Sequence, residues 1–204
     1  ILLVAALDIA GMAVAFPIGV GLALVLGVIT TYLTKPEGNP LWLALGVAAI
    51  VVAIIVDALA YKRLASAGQK TPLKGIILSV AAGVLMGFFY RFVVASMSGK
   101  FEVIEAGKLT PYTAIVVFSL GLLLSNLLWN TIAMAWPFVG DPVPVSDYFT
   151  KGNLRLHLIG ILGGIIWNLG MSFNIIASGA TAPALAYGLG QGATMIAAIW
   201  GVFI

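Results

Sequence analysis

Apolar runs about 20 residues long recur along this chain, and that is the length a helix needs to cross the hydrocarbon of a bilayer. Seven can be read, over 1–15, 17–34, 40–61, 73–97, 111–136, 154–177 and 180–204. One helix through the first two would be about 50 Å long at ~1.5 Å per residue, against a core of about 30 Å. Pro17 and Gly19 are therefore expected to break it. Pro40, Pro72 and Pro111 stand at span starts, where proline costs little. The chain is 62% hydrophobic and 8% charged, whereas a soluble domain carries about 25% charge. That excludes a cytosolic enzyme, a nucleic-acid module and a disordered chain. The alternating ten-residue segments of an outer-membrane barrel are absent. The expected fold class is an all-α, multi-pass membrane protein whose first partner is the lipid bilayer.

The basic residues orient it. The net charge of +3 would suggest nucleic acid in a soluble protein, but here the Lys and Arg lie mostly in loops, as in an inserted chain. Lys62, Arg63, Lys70 and Lys74 cluster without an acid, so the 62–74 loop is expected in the cytoplasm. Lys100, Glu102, Glu105 and Lys108 cancel, which puts 98–110 outside. Lys151 and Arg155 return 137–155 to the cytoplasm, and the uncharged turn at 178–180 is external.

Ile1 and Ile204 both stand inside apolar runs, so the chain reads as a fragment of a larger protein cut at both ends. Asp8-Ile9-Ala10-Gly11-Met12 is echoed by Trp167-Asn168-Leu169-Gly170-Met171. The echo suggests two homologous halves, and five spans per half, an odd number, would invert one against the other in the membrane. On that reading 1–63 holds the last three helices of the first repeat. Residues 64–72 are a basic cytoplasmic linker, and 73–204 hold the first four helices of the second.

Several stretches resemble a known group. Gly75-Ile76-Ile77-Leu78-Ser79-Val80-Ala81-Ala82-Gly83-Val84-Leu85-Met86-Gly87-Phe88-Phe89 looks like the sixth helix of the ureide permeases. Thr110-Pro111-Tyr112-Thr113-Ala114 resembles the start of their seventh, Trp200-Gly201-Val202-Phe203 the end of their ninth, and Ile1-Leu2-Leu3-Val4-Ala5 the start of their third. These permeases stand beside the bacterial glucose/ribose porters and the rhamnose–proton symporters in the drug/metabolite transporter superfamily. The resemblance implies ten helices in two inverted five-helix repeats, seven of them present here. It also implies transport of a small neutral polar solute, a sugar or a ureide, usually driven by protons. Such a chain would be a bacterial plasma-membrane protein and not an enzyme, without a cofactor and with a homo-oligomer left open. Plant ureide permeases carry a phosphate-loop-like sequence in the central loop. Ala67-Gly68-Gln69-Lys70-Thr71 lacks the GK pair and the upstream glycine that wrap phosphate.

Polar side chains inside spans are costly and face protein or a water-filled cavity. Ser119, Asn126 and Asn130 fall on one helical face, flanked by Trp129. Trp167, Met171 and Asn174 share another, with Asn168 beside it, and Tyr187, Gln191 and Thr194 a third. Amides bond hydroxyls or ureido groups and aromatic rings stack on sugars or planar heterocycles, so these are the expected substrate-binding residues. Amides also fasten helices together, and that reading stands beside the first. Asp8, taken to lie mid-membrane in a helix ending at Pro17, is the candidate for a coupling proton. Asp57 reads as an interfacial partner of Lys62 and Arg63, Arg91 as snorkelling outward, and His157 as interfacial. The pairs Gly83/Gly87, Gly160/Gly164 and Gly188/Gly192 allow close helix contact.

One histidine and no cysteine exclude multi-His and Cys-ligated metal sites. An intramembrane protease is the competing enzyme class. Ser98-Gly99 falls in a loop, and Asp8 and Asp57 lack the paired-aspartate GxGD setting. A helix-packing membrane subunit is the competing structural class.

Overall fold

The computed structural model describes residues 1–65, 73–99 and 103–192. The protein is all-helical there: α1 (Leu2–Ala10), α2 (Met12–Thr34), α3 (Pro40–Ala65), α4 (Leu73–Ser96), α5 (Pro111–Ala135), α6 (Ser146–Thr150), α7 (Leu154–Ala180) and α8 (Pro183–Gly190). Four stretches, Val14–Thr34, Leu73–Ser96, Pro111–Ala135 and Leu154–Ala180, are long and apolar enough to cross a membrane, with a shorter apolar stretch at Pro40–Val56. These are the marks of an integral membrane protein.

The first helix break is at Gly11, not at Pro17. Gly11 has φ 78° and ψ 159°, a conformation open to a residue without a Cβ. Its amide closes α1 on the Leu7 carbonyl at 2.9 Å, and its carbonyl accepts from Ala15 at 3.1 Å to start α2. α2 runs through Pro17 in its second turn; neighbouring helices make proline tolerable inside a membrane helix. The two helices fold back on each other, since a Cβ at Gly19 would lie 2.9 Å from Leu3 Cδ1.

Small residues then bring α2 onto α4. A Cβ at Gly83 would lie 2.6 Å from the Gly19 carbonyl oxygen, and one at Gly87 would lie 2.5 Å from Leu26 Cβ and 3.3 Å from the Ala23 oxygen. The order of these contacts makes the helices parallel. Thr30 Oγ1 donates to the Gly87 carbonyl at 2.9 Å, adding a hydrogen bond across the seam. The Gly83/Gly87 pair thus packs as its spacing suggests. A Cβ at Gly160 or Gly164 would meet nothing of another element within 4 Å among the described residues, and one at Gly188 would lie at an ordinary 3.5 Å from Val28 Cγ2.

The connections sort onto two faces. Lys74 Nζ donates to the Phe138 carbonyl, and a Cβ at Gly75 would touch Ala10. The start of α4, the Gly11 turn and the 136–153 segment therefore share one face. On the other, Lys35 Nζ donates to the Gly99 carbonyl at 3.1 Å, and a Cβ at Gly38 would lie 3.2 Å from Ala182. That face holds 35–39, 97–99, 103–110 and the turn at Thr181–Ala182, which falls just after the expected 178–180. Between Met97 and Thr110 the chain clasps itself, with Ser98 N donating to the Leu109 carbonyl and Gly99 N to Glu105 Oε1. The Lys74 face carries an unforeseen short helix, α6, where Lys151 pairs with Asp147 at 2.6 Å. Of the expected 64–72 linker, Leu64 and Ala65 end α3, and residues 66–72, Lys70 included, lie outside the described residues.

Helix starts follow local chemistry. Thr110 Oγ1 caps α5 by accepting from Thr113 N, with Pro111 in its first turn. Asn153 Oδ1 caps α7 by accepting from Leu156 N at 2.8 Å, and Asn39 Oδ1 accepts from Leu41 N at the start of α3. The buried core of Leu24, Val28, Tyr90, Val94, Met97, Ala114, Ile175, Ala184 and Tyr187 sits in the half toward Lys35. In the half toward Lys74, α5 and α7 stand away from the rest. Leu123, Leu127, Leu158 and Ile166 are all exposed there.

With no native cysteine in the chain, sidedness has a direct check. Lys108→Cys is expected to react with an impermeant thiol reagent from outside intact cells, and Lys151→Cys only after the cytoplasmic side is opened. Reversed labelling would invert the orientation drawn from the basic loops.

Candidate functional site

Where α5 leaves α1 and α4, two adjoining cavities of about 680 Å³ and about 540 Å³ open in the half toward the Lys74 face. They share Ile1, Asn126, Ala133 and Phe138. The larger is walled by Leu2 and Leu3 of α1, Ala82, Leu85 and Met86 of α4, and Ser125, Trp129, Ile132 and Trp136 from the α5 side. The smaller reaches the face itself through Asp8, Asn130 and Pro137–Val139. The α5 backbone sets the polar wall. Asn126 and Asn130 are one turn apart, and Asn130 Nδ2 donates to Asn126 Oδ1 at 2.9 Å. Nothing else among the described residues bonds these amides, so Asn126 keeps two N–H donors and Asn130 a carbonyl oxygen for a ligand. Both are exposed to the cleft, and Trp129 is 55% exposed beside them.

Asp8 lines the smaller cavity, but not at mid-membrane depth. α1 ends at Ala10, so Asp8 is about 3 Å along the axis from the helix end. The α1 end meets the first turn of α4. Asp8 therefore stands at the cleft mouth, exposed, with neither an ion pair nor a hydrogen bond among the described residues. The depth expected from Pro17 is corrected because the helix turns at Gly11.

The other expected residues gather elsewhere, and none lines these two cavities. Asn168 Oδ1 accepts from Ser119 Oγ at 3.2 Å and ties α7 to α5. Trp167 leans on Phe118, ring centroids 6.4 Å apart. Asn174 Nδ2 donates to the Ala186 carbonyl at 2.8 Å across the α7–α8 turn. The Tyr187 hydroxyl donates to the Ala23 carbonyl at 3.2 Å, with the Met86 carbonyl 3.4 Å away. Gln191 follows α8, its amide on the Tyr187 carbonyl. In this arrangement Asn168, Asn174 and Tyr187 fasten helices. The expected single group of three faces is two groups, one at the cleft and one in the packed half.

Ser125, Trp136 and Phe138 also line the cleft, outside the shared polar faces. Ser125 lies a third of a turn from Asn126, and Phe138 is beyond the span, so no helical periodicity flags it. Arg91 is half-buried toward the Lys35 face with its guanidinium carbon 5.3 Å from the centre of the Phe92 ring. His157 packs on Tyr148 at 4.8 Å in the first turn of α7, at the Lys74 face. The side chain of Asp57, and all of Thr194, lie outside what is described. The echo of residues 8–12 in 167–171 is not matched position for position: Gly11 is a turn, whereas Gly170 is inside α7 and the corresponding turn comes at Thr181–Ala182. Compared with models of protein families, with curated proteins and with solved structures, the chain finds no match.

Proposed function

We propose that this chain belongs to a secondary transporter that carries a small neutral polar solute, a sugar first among them, across a bacterial plasma membrane. The observation that carries the reading is the unequal packing of the two halves. The cleft with its free amides and indole opens toward the Lys74 face, while the half toward Lys35 is packed shut. A mostly apolar cleft with a few polar groups on one wall, open at one end and closed at the other, fits one state of an alternating-access carrier. Paired amides and an indole suit hydroxyl-rich or ureido solutes without requiring a fixed charge.

The two hairpins support the inverted-repeat reading. The α1–α2 hairpin turns at the Lys74 face and the α7–α8 hairpin at the Lys35 face, which is the relation an axis lying in the membrane plane produces. With α1, α3 and α8 counted as further spans, the chain supplies seven of ten helices: three from a first repeat over 1–63 and four from a second over 73–204. The order of the stretches that resemble the drug/metabolite transporters points the same way.

Uptake of labelled glucose, rhamnose, ribose, allantoin and uracil into proteoliposomes of the whole protein, with and without an inward proton gradient, tests the reading. Absence of uptake of every one in reconstituted, folded protein would overturn it, and preference for allantoin or uracil would replace the sugar by a ureide. Proton coupling belongs to the same proposal, with Asp8 as the acid on the cleft wall. Asp8→Asn is expected to keep exchange between equal solute concentrations and to lose accumulation against a gradient. Retained accumulation would remove Asp8 from the coupling step.

A further inference from the structure

Three polar side chains of the packed half, Tyr90, Asn174 and Tyr187, form a connected set. Tyr90 and Tyr187 are 0% and 1% exposed, their ring centroids 4.8 Å apart, with Phe89 edge-on to both. The Tyr187 hydroxyl holds α8 against α2 through Ala23 and sits beside α4 at Met86. The Tyr90 hydroxyl donates to the Asn174 carbonyl at 3.1 Å and so holds α4 to α7. Gly27 makes room for the arrangement, because a Cβ there would fall on the Tyr187 ring.

Two properties make this set releasable. The carbonyls that accept from Tyr187 and Tyr90 lie inside α2, α4 and α7, where each already accepts from the amide four residues on. Breaking the tyrosine bonds therefore strands no carbonyl. Asn174 Oδ1, by contrast, is buried without a partner, so the closed arrangement leaves an acceptor unmet, and separation lets water or solute satisfy it. These hydroxyls tie α8 to α2 and α7 to α4, whereas the Thr30–Gly87 bond ties α2 to α4 and is untouched by their release; the core around them is apolar.

We propose that Tyr90, Asn174 and Tyr187 are a latch that seals the path toward the Lys35 face while the cleft is open toward the Lys74 face. The α7–α8 hairpin then parts from α2 and α4 when the latch releases. This rests on the transport reading above and adds to it the residues that hold one of its two states.

The test uses two reporter cysteines in the whole protein, in its membrane, without solute. Ser125→Cys sits on the cleft wall and Ala114→Cys is 3% exposed in the packed half. With the native latch, an impermeant thiol reagent is expected to reach Ser125→Cys from the Lys74 side and to leave Ala114→Cys unmodified from either side. Adding Tyr187→Phe keeps the ring and removes the hydroxyl bonds. It is expected to raise reactivity at Ala114→Cys from the Lys35 side about tenfold, the shift that loss of one ordinary hydrogen bond gives, and to lower it at Ser125→Cys. Gly27→Ala, which unseats the ring from the other side, is expected to do the same. A rise at both reporters, or no change at either, would show that the tyrosines only hold helices together and would overturn the latch. Since no solute is involved, that outcome leaves the transport reading to be decided by uptake.

Discussion

Gly83→Leu is expected to prevent accumulation of folded protein, and Gly83→Ala to lower its thermal stability in detergent by several degrees. A Cβ at this position falls 2.6 Å from the Gly19 carbonyl oxygen and 3.1 Å from Leu22 Cβ. A backbone oxygen in a helix cannot rotate aside, so α2 and α4 must separate along the whole seam that includes Gly87, Ala23 and Thr30. Overpacking of this kind costs about 1–3 kcal/mol, and a chain of this size loses about 2–4 °C per kcal/mol. Leucine adds further branches to the same collision. The comparison is Gly164→Ala, where nothing lies within 4 Å. There the change is expected to be neutral or slightly stabilising, since alanine is the better helix former by about 1 kcal/mol. Fluorescence-detected size-exclusion after heating separates the two. Equal behaviour at Gly83 and Gly164 would mean that the seam is looser than these distances.

Asn126→Ala is expected to weaken solute binding tenfold to a hundredfold while leaving the heating curve unchanged. Asn126 accepts from Asn130 and offers its own amide hydrogens to the cleft. Loss of a good hydrogen bond in a desolvated site costs about 1–3 kcal/mol, and every 1.4 kcal/mol is roughly a factor of ten in affinity. Asn174→Ala is expected to behave the opposite way in binding assays of the cleft-open state. It removes the bond to the Ala186 carbonyl across the α7–α8 turn, so stability falls and affinity holds. Asn168→Ala, which frees Ser119, sides with Asn174. Calorimetric titration with the solute found by uptake, alongside the heating curves, decides between these outcomes. If Asn126→Ala binds normally but melts early, the amides at the cleft are fasteners as well.

Hydropathy placed the long helices well because their lengths are set by the bilayer, and Pro111, Asn153 and Pro40 announce helix starts by local chemistry. The hairpin at Gly11 was illegible for a specific reason. Proline is a strong signal in water, yet α2 passes through Pro17, while the glycine that turns the chain is one of several in the stretch and carries no flanking polar residue. Asp8 was misplaced in depth by the same misreading. Shared helical faces correctly gathered Asn126 and Asn130, since both lie on one helix. They could not separate Asn174 and Tyr187 from the cleft, because a helical wheel gives direction around an axis and says nothing of which neighbour stands there.

The hairpin at Gly11 also bears on how the chain enters the bilayer. Between Asp8 and Lys35 there is no charged residue, and the turn itself reads Ile9-Ala10-Gly11-Met12-Ala13. The turn itself has no basic flank to hold it to one side of the membrane. α4 receives the α1–α2 pair through Gly75 and Gly83, while its Lys74 bonds the Phe138 carbonyl at the same face. The side on which this uncharged turn sits is therefore tied, through a seam of small residues, to a basic residue of a helix that comes later in the chain.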